Sequence, residues 1–248
     1  MSDKIAVVTG VSHTNGIGAA TCRRLAADGC AVFFTYWEAN QGWANTFQQE
    51  LLELGVRCAS MEIDLANSHA PYEILDKVET ELGLPTILVN NAAYSTRDGY
   101  QTLDSLTLDR HYAVNMRATF LLCAEFSRRL EEDKGTAGRI VNMTSGQAQG
   151  PMVEELAYGA TKAAITGFTL SLSAEVAHLG ITVNAVNPGP TDTGWMSEGV
   201  KQELSNKFGM GRIGMPDDAA RLIKFLVSDE AAWITGQVIN SEGGFLRK

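Results

Sequence analysis

Short apolar runs alternate with longer helical patterns along this whole sequence, and the alternation constrains the fold more than any other feature. The apolar runs predict strands at 4–9, 31–36, 57–63, 86–90, 139–144, 181–187 and 237–240. Helical periodicity lies between them at 16–28, 40–54, 70–82, 104–133, 155–179 and 216–228. Because nearly continuous apolar strands are typical of parallel sheets covered on both faces, this order predicts a doubly wound, Rossmann-like α/β fold. We expect about seven parallel strands with helices on both faces.

No linker, repeat or low-complexity tract divides residues 1–248, so we expect a single domain. The composition, with 45% hydrophobic and 20% charged residues, is that of a globular protein that buries one sizeable core. The segment 190–215 is the one irregular stretch, rich in Gly, Met and turn residues. Two interpretations of it stay open, a substrate lid and an ordinary amphipathic surface helix.

The formal net charge of −9 disfavours nucleic acid and anionic membrane surfaces as partners. No run approaches the ~18 apolar residues of a membrane span, and the start, MSDKIAVVTG, lacks a signal-peptide pattern. We therefore expect a cytoplasmic protein. The four cysteines form no CxxC pair and the four histidines lack i, i+4 spacing, so no metal site is expected.

A glycine-containing loop follows the first predicted strand and leads into the first predicted helix. Glycines at this place let the backbone approach a pyrophosphate, while the free N–H groups and the dipole of the helix attract its charge. A plain β-to-α turn is the alternative interpretation. The candidate phosphate-binding residues are Gly10, Ser12, His13, Asn15, Gly16, Ile17 and Gly18.

Tyr158 and Lys162 are four residues apart in a predicted helix and therefore lie on one face of it. An ammonium about 4 Å from a phenol favours the phenolate by about 4 kcal/mol at an effective dielectric near 20, or roughly three pKa units at most. That shift brings the phenol towards neutral pH, where it exchanges protons with an alcohol or carbonyl. Ser145 ends a predicted strand thirteen residues earlier, at the sheet edge where such folds bind ligands.

The chain resembles the short-chain dehydrogenase/reductase superfamily over essentially its full length. The motifs that carry the resemblance are TGVSHTNGIG, Asp64-Leu65, NNA at 90–92, Asn115 in AVNM, Ser145 in NMTSG, YGATK at 158–162, NPGPTDT at 187–193 and TGQVINSEGG at 235–244.

The resemblance implies a catalytic tetrad and a set of nicotinamide-cofactor contacts. The implied tetrad is Asn115, Ser145, Tyr158 and Lys162. Tyr158 would exchange the proton, Lys162 would lower the tyrosine pKa and bind the nicotinamide ribose, and Asn115 would hold a water. The implied adenine, ribose and carboxamide contacts are Asp64, Leu65, Asn91, Ala92, Ala93, Pro188, Gly189, Thr191 and Thr193.

Two departures from the family pattern bear on the reaction. Five residues rather than three separate Gly10 from Gly16, as in the enoyl reductase branch, but that branch has six residues between its Tyr and Lys where this chain has three. Ala93 also stands where glycine is usual. The pattern favours hydride transfer to a carbonyl or from a secondary alcohol. An enoyl-thioester reductase and a non-catalytic cofactor-binding sensor are the alternatives, and a serine hydrolase lacks its GxSxG motif.

The charge pattern favours a free small-molecule substrate over one bound to acyl carrier protein. The stretch SLSAEVAHLG has no Lys or Arg, and three carboxylates follow the Arg128-Arg129 pair closely. The resemblance further implies a homotetramer, or a homodimer, built on helices 104–133 and 155–179.

NADP(H) is expected to be preferred over NAD(H). Enzymes of this fold that use NAD place a carboxylate at the end of the second strand, where this chain has Tyr36. His13 is available to a 2′-phosphate, whereas Glu38 would reverse the preference if the strand ran longer. If Tyr36 and Trp37 form only an apolar wall for the adenine, specificity would be dual.

Overall fold

The computed structural model describes residues 4–246, and the predicted parallel sheet is confirmed. Its seven strands lie in the order β3-β2-β1-β4-β5-β6-β7, and every neighbouring pair is parallel. The strands are β1 (Ile5–Val8), β2 (Ala31–Tyr36), β3 (Cys58–Glu62), β4 (Ile87–Asn90), β5 (Arg139–Met143), β6 (Thr182–Asn187) and β7 (Val238–Asn240).

Helices cover both faces of this sheet, as the apolar strands predict. They are α1 (Ile17–Ala27), α2 (Trp43–Glu53), α3 (Ala70–Glu81), α4 (Ser105–His111), α5 (Thr119–Asp133), α6 (Leu156–Val176), α7 (Glu198–Ser205) and α8 (Pro216–Leu226). Successive residues of a strand point to opposite faces. Val7 accordingly packs in the cluster that contains Phe126 of α5, whereas Val8 packs in the cluster that contains Leu25 of α1.

The predicted bounds agree with these elements to within a few residues, but one predicted helix differs in kind. The helix predicted at 104–133 contains a π-helical segment, Tyr112–Ala118, between α4 and α5. The irregular segment 190–215 contains α7, whose N-cap Ser197 accepts a hydrogen bond from the Val200 N–H at 3.4 Å. Periodicity alone did not show the π segment, because it changes only one turn of a long helical pattern.

The carboxyl ends of β1 and β4 lie side by side at the centre of the sheet. The chain leaving β1 leads to β2 on one side, and the chain leaving β4 leads to β5 on the other side. Ligands of open α/β sheets bind at such a position. Between residues 4 and 246, no helix is long and apolar enough to cross a membrane.

Candidate active site

The loop after β1 is held in place by side chains from three elements. The Ser12 Oγ donates to the Trp37 carbonyl at 3.2 Å and accepts from the Trp37 N–H at the same distance. The Trp43 Nε1 donates to the Thr14 Oγ1 at 3.0 Å, and the Arg23 Nη1 donates to the Thr14 carbonyl at 2.9 Å. The lengthened loop therefore has a defined shape.

Two glycines of this loop allow a close approach of backbone segments. Gly10 has a φ of +71°, and a Cβ there would lie 2.4 Å from the Ala92 Cα. A Cβ on Gly18 would lie 2.7 Å from the Asn91 Nδ2. Gly16 is the N-cap of α1 and provides no side-chain cap, and the first turn of the helix contains no acidic residue. These residues fit a dinucleotide pyrophosphate, which needs exposed N–H groups and a positive helix end.

A cleft of about 460 Å³ opens beside the loop, at the carboxyl edge of β1 to β4. Predicted cofactor residues that line it are Gly10, Ser12, His13, Tyr36, Asp64, Leu65, Ala92 and Ala93. Sequence reasoning missed Tyr94, Arg110 and Val114, which line it as well. Their signal was available in part, because Arg110 and Val114 are four residues apart in the helical pattern just before Asn115.

Other predicted cofactor residues lie elsewhere around the same sheet edge. Asn15 lines a second cleft, of about 720 Å³, together with Arg24 and Lys201. The Asn91 side chain is engaged in the fold, since its Nδ2 donates to the carbonyls of Thr9 and Gly10 at 2.9 and 3.0 Å. Ile17 begins α1. The remaining predicted cofactor residues follow β6 and are Pro188, Gly189, Thr191 and Thr193.

Asn115 lies in the π-helical segment and is fully buried. Its Oδ1 accepts from the Tyr94 N–H at 2.7 Å, and its Nδ2 donates to the Tyr94 carbonyl at 2.9 Å and to the Thr161 Oγ1 at 3.0 Å. The Thr161 hydroxyl donates to the Tyr158 carbonyl at 2.8 Å. Asn115 therefore connects the loop after β4 to α6.

Ser145, Tyr158 and Lys162 come together at the carboxyl end of β5. The Ser145 hydroxyl lies near enough to the Tyr158 phenol to influence its pKa. The buried Lys162 Nζ lies 5.6 Å from the centre of the Tyr158 ring and donates to the Met143 carbonyl at 2.8 Å. The Ser145 Oγ also contacts the Met152 Sδ at 3.7 Å, a neighbour that sequence reasoning missed.

The protonation of this group differs from the sequence expectation. Burial, with a smaller contribution from the Glu155 carboxylate, raises the pKa of Tyr158 to about 12, and the Ser145 hydroxyl opposes this rise. Burial lowers the pKa of Lys162 to about 8. Desolvation outweighs the effect of the Lys162 charge on the tyrosine pKa, because both groups are buried and the ammonium is directed at a backbone carbonyl. At neutral pH the phenol is protonated.

Comparison with known proteins identifies the family. A family model described as Enoyl-(Acyl carrier protein) reductase matches residues 10–246. The solved structure of a mutant Serratia marcescens short-chain dehydrogenase/reductase matches with a TM-score of 0.89 at 33% sequence identity, covering 98% of this chain and 97% of that one. The chain belongs to the short-chain dehydrogenase/reductase family. It is an oxidoreductase of that family.

Several members of the short-chain dehydrogenase/reductase family are similar over nearly their full length. "Uncharacterized oxidoreductase YjdA" of Bacillus subtilis (strain 168) is 59% identical over 245 residues, which cover 99% of this chain and 98% of that protein. The 3-oxoacyl-[acyl-carrier-protein] reductase of Aquifex aeolicus (strain VF5) is 32% identical, covering 98% of each chain. A blue fluorescent protein from a metagenomic library, solved in complex with NADPH, matches with a TM-score of 0.89 at 32% identity, covering 98% of this chain and 97% of that one.

Proposed function

We propose that this protein transfers a hydride between NADP(H) and a carbonyl or secondary alcohol, with Tyr158 as proton donor and acceptor. The observation that carries the proposal is the grouping of Ser145, Tyr158 and a buried Lys162 at the sheet edge that also holds the 460 Å³ cleft. A protonated phenol beside a serine hydroxyl is a suitable acid for a carbonyl oxygen.

In the reducing direction each side chain has a separate task. The cofactor supplies the hydride when bound. The Ser145 hydroxyl donates a hydrogen bond to the substrate oxygen, and Tyr158 gives its proton to the same oxygen. A pKa of about 12 keeps Tyr158 protonated at neutral pH, which favours the reducing direction. The Lys162 ammonium lies beside the Tyr158 ring and stabilises the negative charge that develops there as the proton leaves. Asn115 positions α6 through its hydrogen bond to Thr161.

The segment 190–215 is proposed to cover the substrate as a lid. The start of this segment is attached to the loop that follows β6, since the Trp195 Nε1 donates to the Thr191 carbonyl at 2.9 Å. The Lys201 ammonium pairs with Asp192 at 2.9 Å and so links α7 to the same loop. A lid that excludes water strengthens the electrostatic contacts of the reacting groups.

Preference for NADP(H) is supported by the end of β2. The strand ends at Tyr36, so a phenol stands where a carboxylate would bind the ribose hydroxyls of NAD(H). Glu38 lines the same cleft and opposes the preference. We expect a lower dissociation constant for NADPH than for NADH, and a gain of NADH affinity in Tyr36→Asp. Tighter binding of NADH to the wild-type protein would reject the preference.

A free small-molecule carbonyl is the proposed substrate class. Arg128 and Arg129 lie on α5, and both are paired with Glu125, at 2.7 and 3.0 Å. Arg129 also contacts Asp76 at 2.7 Å and Glu79 at 3.1 Å. Their charges are thus offset by carboxylates within the chain, which weakens docking of an acidic carrier. The similarity to a 3-oxoacyl-[acyl-carrier-protein] reductase is the observation that favours a carrier-bound substrate instead.

An enoyl reductase is the second candidate, because the matching family model carries that description and the phosphate loop is long. One assay separates the candidates. NADPH absorbance is followed with a panel of small ketones and with a short enoyl thioester. It is also followed with a 3-oxoacyl group in two forms, a small thioester and a thioester on acyl carrier protein. We expect oxidation of NADPH by ketones and not by the enoyl thioester. A more than tenfold preference for the carrier-bound form over the small thioester would reject the free-substrate proposal.

A homotetramer or homodimer built on the long helices is proposed for the assembly. Phe120 of α5 and Phe168 of α6 are half-buried and stacked, with their ring centres 3.9 Å apart. Leu170 of α6 is 63% exposed, and Tyr112 at the π segment is 49% exposed. Helices with apolar residues on several sides are typically buried, and a second copy of this chain is the partner that the resemblance implies.

A further inference from the structure

A third cavity, of about 810 Å³, adjoins the candidate active site. It is formed by the segments 97–102 and 151–156 together with the start of α6. Met152 lines this cavity, and its Sδ lies 3.7 Å from the Ser145 Oγ, so the cavity wall and the proposed substrate contact are neighbours. We call it the acidic cavity, because one guanidinium and three carboxylates line it, those of Arg97, Asp98, Glu154 and Glu155.

Asp98 is a buried carboxylate at the wall of the acidic cavity, with only 4% of its surface exposed. Its Oδ2 accepts from the Ala157 N–H in the first turn of α6, at 3.1 Å. Its Oδ1 is buried and has no hydrogen-bond partner among residues 4–246. A buried carboxylate oxygen without a donor costs free energy, and a ligand N–H group would remove that cost.

Glu155 places a second carboxylate next to Asp98. The two residues are partners in an isolated parallel β-bridge, and the Asp98 N–H donates to the Glu154 carbonyl at 2.8 Å. Like charges at paired positions repel each other. Glu154 lies 3.7 Å from Arg97, whereas Asp98 and Glu155 form no ion pair with any residue that the structure describes. The N-terminus of α6 offsets part of the Asp98 charge, which leaves the Glu155 charge and the Asp98 Oδ1 to a ligand.

An unpaired charge beside an unsatisfied acceptor favours a cation that carries N–H groups. An ammonium group has both properties and forms charge-assisted hydrogen bonds with carboxylates. In the described part of the chain, no group of three His, Cys, Asp or Glu side chains could hold a metal ion, so an organic cation is favoured over a metal. Val153 and Leu156 line the same cavity, are 75% and 44% exposed, and fit the hydrocarbon part of an amine.

The Glu155 carboxylate also acts on the proposed proton donor. Burial raises the pKa of Tyr158 to about 12, and the Glu155 carboxylate contributes to this rise. An ammonium group beside Glu155 therefore lies within electrostatic reach of the phenol. By offsetting the carboxylate, it makes the phenol a stronger acid while the amine is bound.

We propose that the acidic cavity binds the ammonium group of the substrate, so that the carbonyl compound reduced by this protein is an amino ketone. The inference rests on the proposed function, in that Ser145 and Tyr158 act on a carbonyl oxygen. The Asp98 Oδ1 accepts the N–H of the ammonium group, and Glu155 supplies the second negative charge. In the oxidising direction the substrate is the corresponding amino alcohol.

Kinetics with matched ketones test this specificity. A series of methyl ketones carries a terminal dimethylammonium group at increasing distance from the carbonyl, and each is paired with the neutral analogue that has an isopropyl group in its place. NADPH oxidation by the full chain gives kcat/KM for both members of each pair at pH 7. At the best chain length we expect the wild-type protein to prefer the ammonium ketone by about tenfold or more, the effect of one hydrogen bond to a charged group.

Two variants remove the carboxylate charges separately. Asp98→Asn keeps an oxygen that accepts from the Ala157 N–H and so preserves the start of α6. Glu155→Gln changes a half-buried side chain that makes no cap contact to α6. Each variant is expected to lower the ratio of the two kcat/KM values at least threefold. Glu53→Gln, at the exposed end of α2, is the matched control and is expected to keep the wild-type ratio.

Calorimetric titration of the ammonium ketone into the full chain with NADP⁺ measures binding independently of turnover. Weaker binding to Asp98→Asn than to the wild-type protein supports the amine site, and equal binding or none overturns it. Equal kcat/KM for both ketones of every pair in the wild-type protein also overturns it, while reduction of either ketone upholds the proposed function. If no ketone is reduced but the amine binds in an Asp98-dependent way, the proposed function fails and the amine site stands.

Discussion

Lys162 holds its amino group in a buried position that disfavours the charged form, beside the candidate catalytic tyrosine. Its side chain is 2% exposed, and its ammonium has one short contact, to the Met143 carbonyl at 2.8 Å. Burial lowers its pKa to about 8, because the charged form loses hydration. A group that destabilises the folded chain but stands beside a tyrosine at a ligand-binding edge is typical of a functional site.

Replacing this lysine is expected to change stability in a pH-dependent way. The pKa of Lys162 in the folded state is below its unfolded value, so its cost is fully present below pH 8 and is relieved as the pH rises towards 10.5. Lys162→Met is therefore expected to be more stable than the wild-type protein at pH 7. The difference in unfolding free energy should shrink by about 2 kcal/mol between pH 7 and pH 9.5.

Urea unfolding at several pH values measures that difference. Burial raises the pKa values of Cys30, Cys58 and Cys123 to about 12, so their thiols destabilise both proteins alike at alkaline pH. Lys77→Met, which replaces an exposed lysine by the same residue, serves as the matched control. A constant difference for Lys162→Met as well would contradict a buried, cationic Lys162.

Tyr158→Phe is expected to lower turnover by about 10²- to 10⁴-fold while cofactor affinity stays nearly unchanged. Phenylalanine keeps the packing of the ring but has no proton to give. Tyr72→Phe is the matched control, since Tyr72 lies on α3 and lines none of the cavities described above. Turnover and NADPH binding are measured on the same preparations. Turnover of Tyr158→Phe within about fivefold of wild type would show that Tyr158 is not the proton donor.

At the scale of elements, the junction of β1 and α1 sets the geometry of the cofactor cleft. Gly10 combines a φ of +71° with a hypothetical Cβ only 2.4 Å from the Ala92 Cα, which belongs to the chain leaving β4. The two loops can therefore touch only where Gly10 has no side chain. The π segment plays a comparable part, because it carries Asn115 into contact with both Tyr94 and Thr161.

Comparing the stability of Gly10→Ala with that of Gly55→Ala distinguishes the cost of backbone strain from the cost of steric crowding. Both glycines have a positive φ, +71° and +84°, but a Cβ on Gly55 meets nothing within 4 Å. Gly55→Ala is expected to cost about 1 kcal/mol for its backbone conformation. Gly10→Ala is expected to cost about 2 kcal/mol or more beyond that, because the backbone at Ala92 must move. Thermal unfolding of both variants measures the costs, and equal costs would show that the two loops separate freely.

At the scale of the whole molecule, the apolar residues that remain exposed on the long helices are the proposed contact surface between copies of the chain. Leu170 is 63% exposed on α6, close in sequence to the stacked Phe168. Exposed apolar patches of this kind mark contact surfaces. The net charge of −9 opposes association of copies at low salt, so the proposed assembly would depend on such patches.

Leu170→Glu is expected to dissociate the assembly into smaller species, because a carboxylate would be buried without a partner between copies. Leu54→Glu, which changes a leucine 49% exposed at the end of α2, is the control. Multi-angle light scattering measures the masses. The assignment of the interface to α5 and α6 would be wrong if Leu170→Glu kept the mass of the wild-type assembly.

The order of strands and helices could be predicted from the sequence, because each element has its own hydrophobic pattern and the pattern repeats along the chain. A run such as AVFFTY reads as a buried strand from its own residues, and β2 ends at Tyr36 as predicted. Helical spacing likewise placed Tyr158 and Lys162 on one face of α6. The order of the first strand and the first helix placed the Gly10 loop next to α1. Each of these inferences needs only the geometry of one element.

Tertiary structure alone determined which side chains meet and how they ionise. Trp37, Tyr94 and Arg110 come from three separate segments and share one cleft only because the sheet edge brings those segments together. The sequence predicted that Lys162 lowers the pKa of Tyr158, but the folded chain directs the ammonium to Met143 and buries both groups. Desolvation depends on every neighbour of a group, and most of those neighbours are distant in sequence.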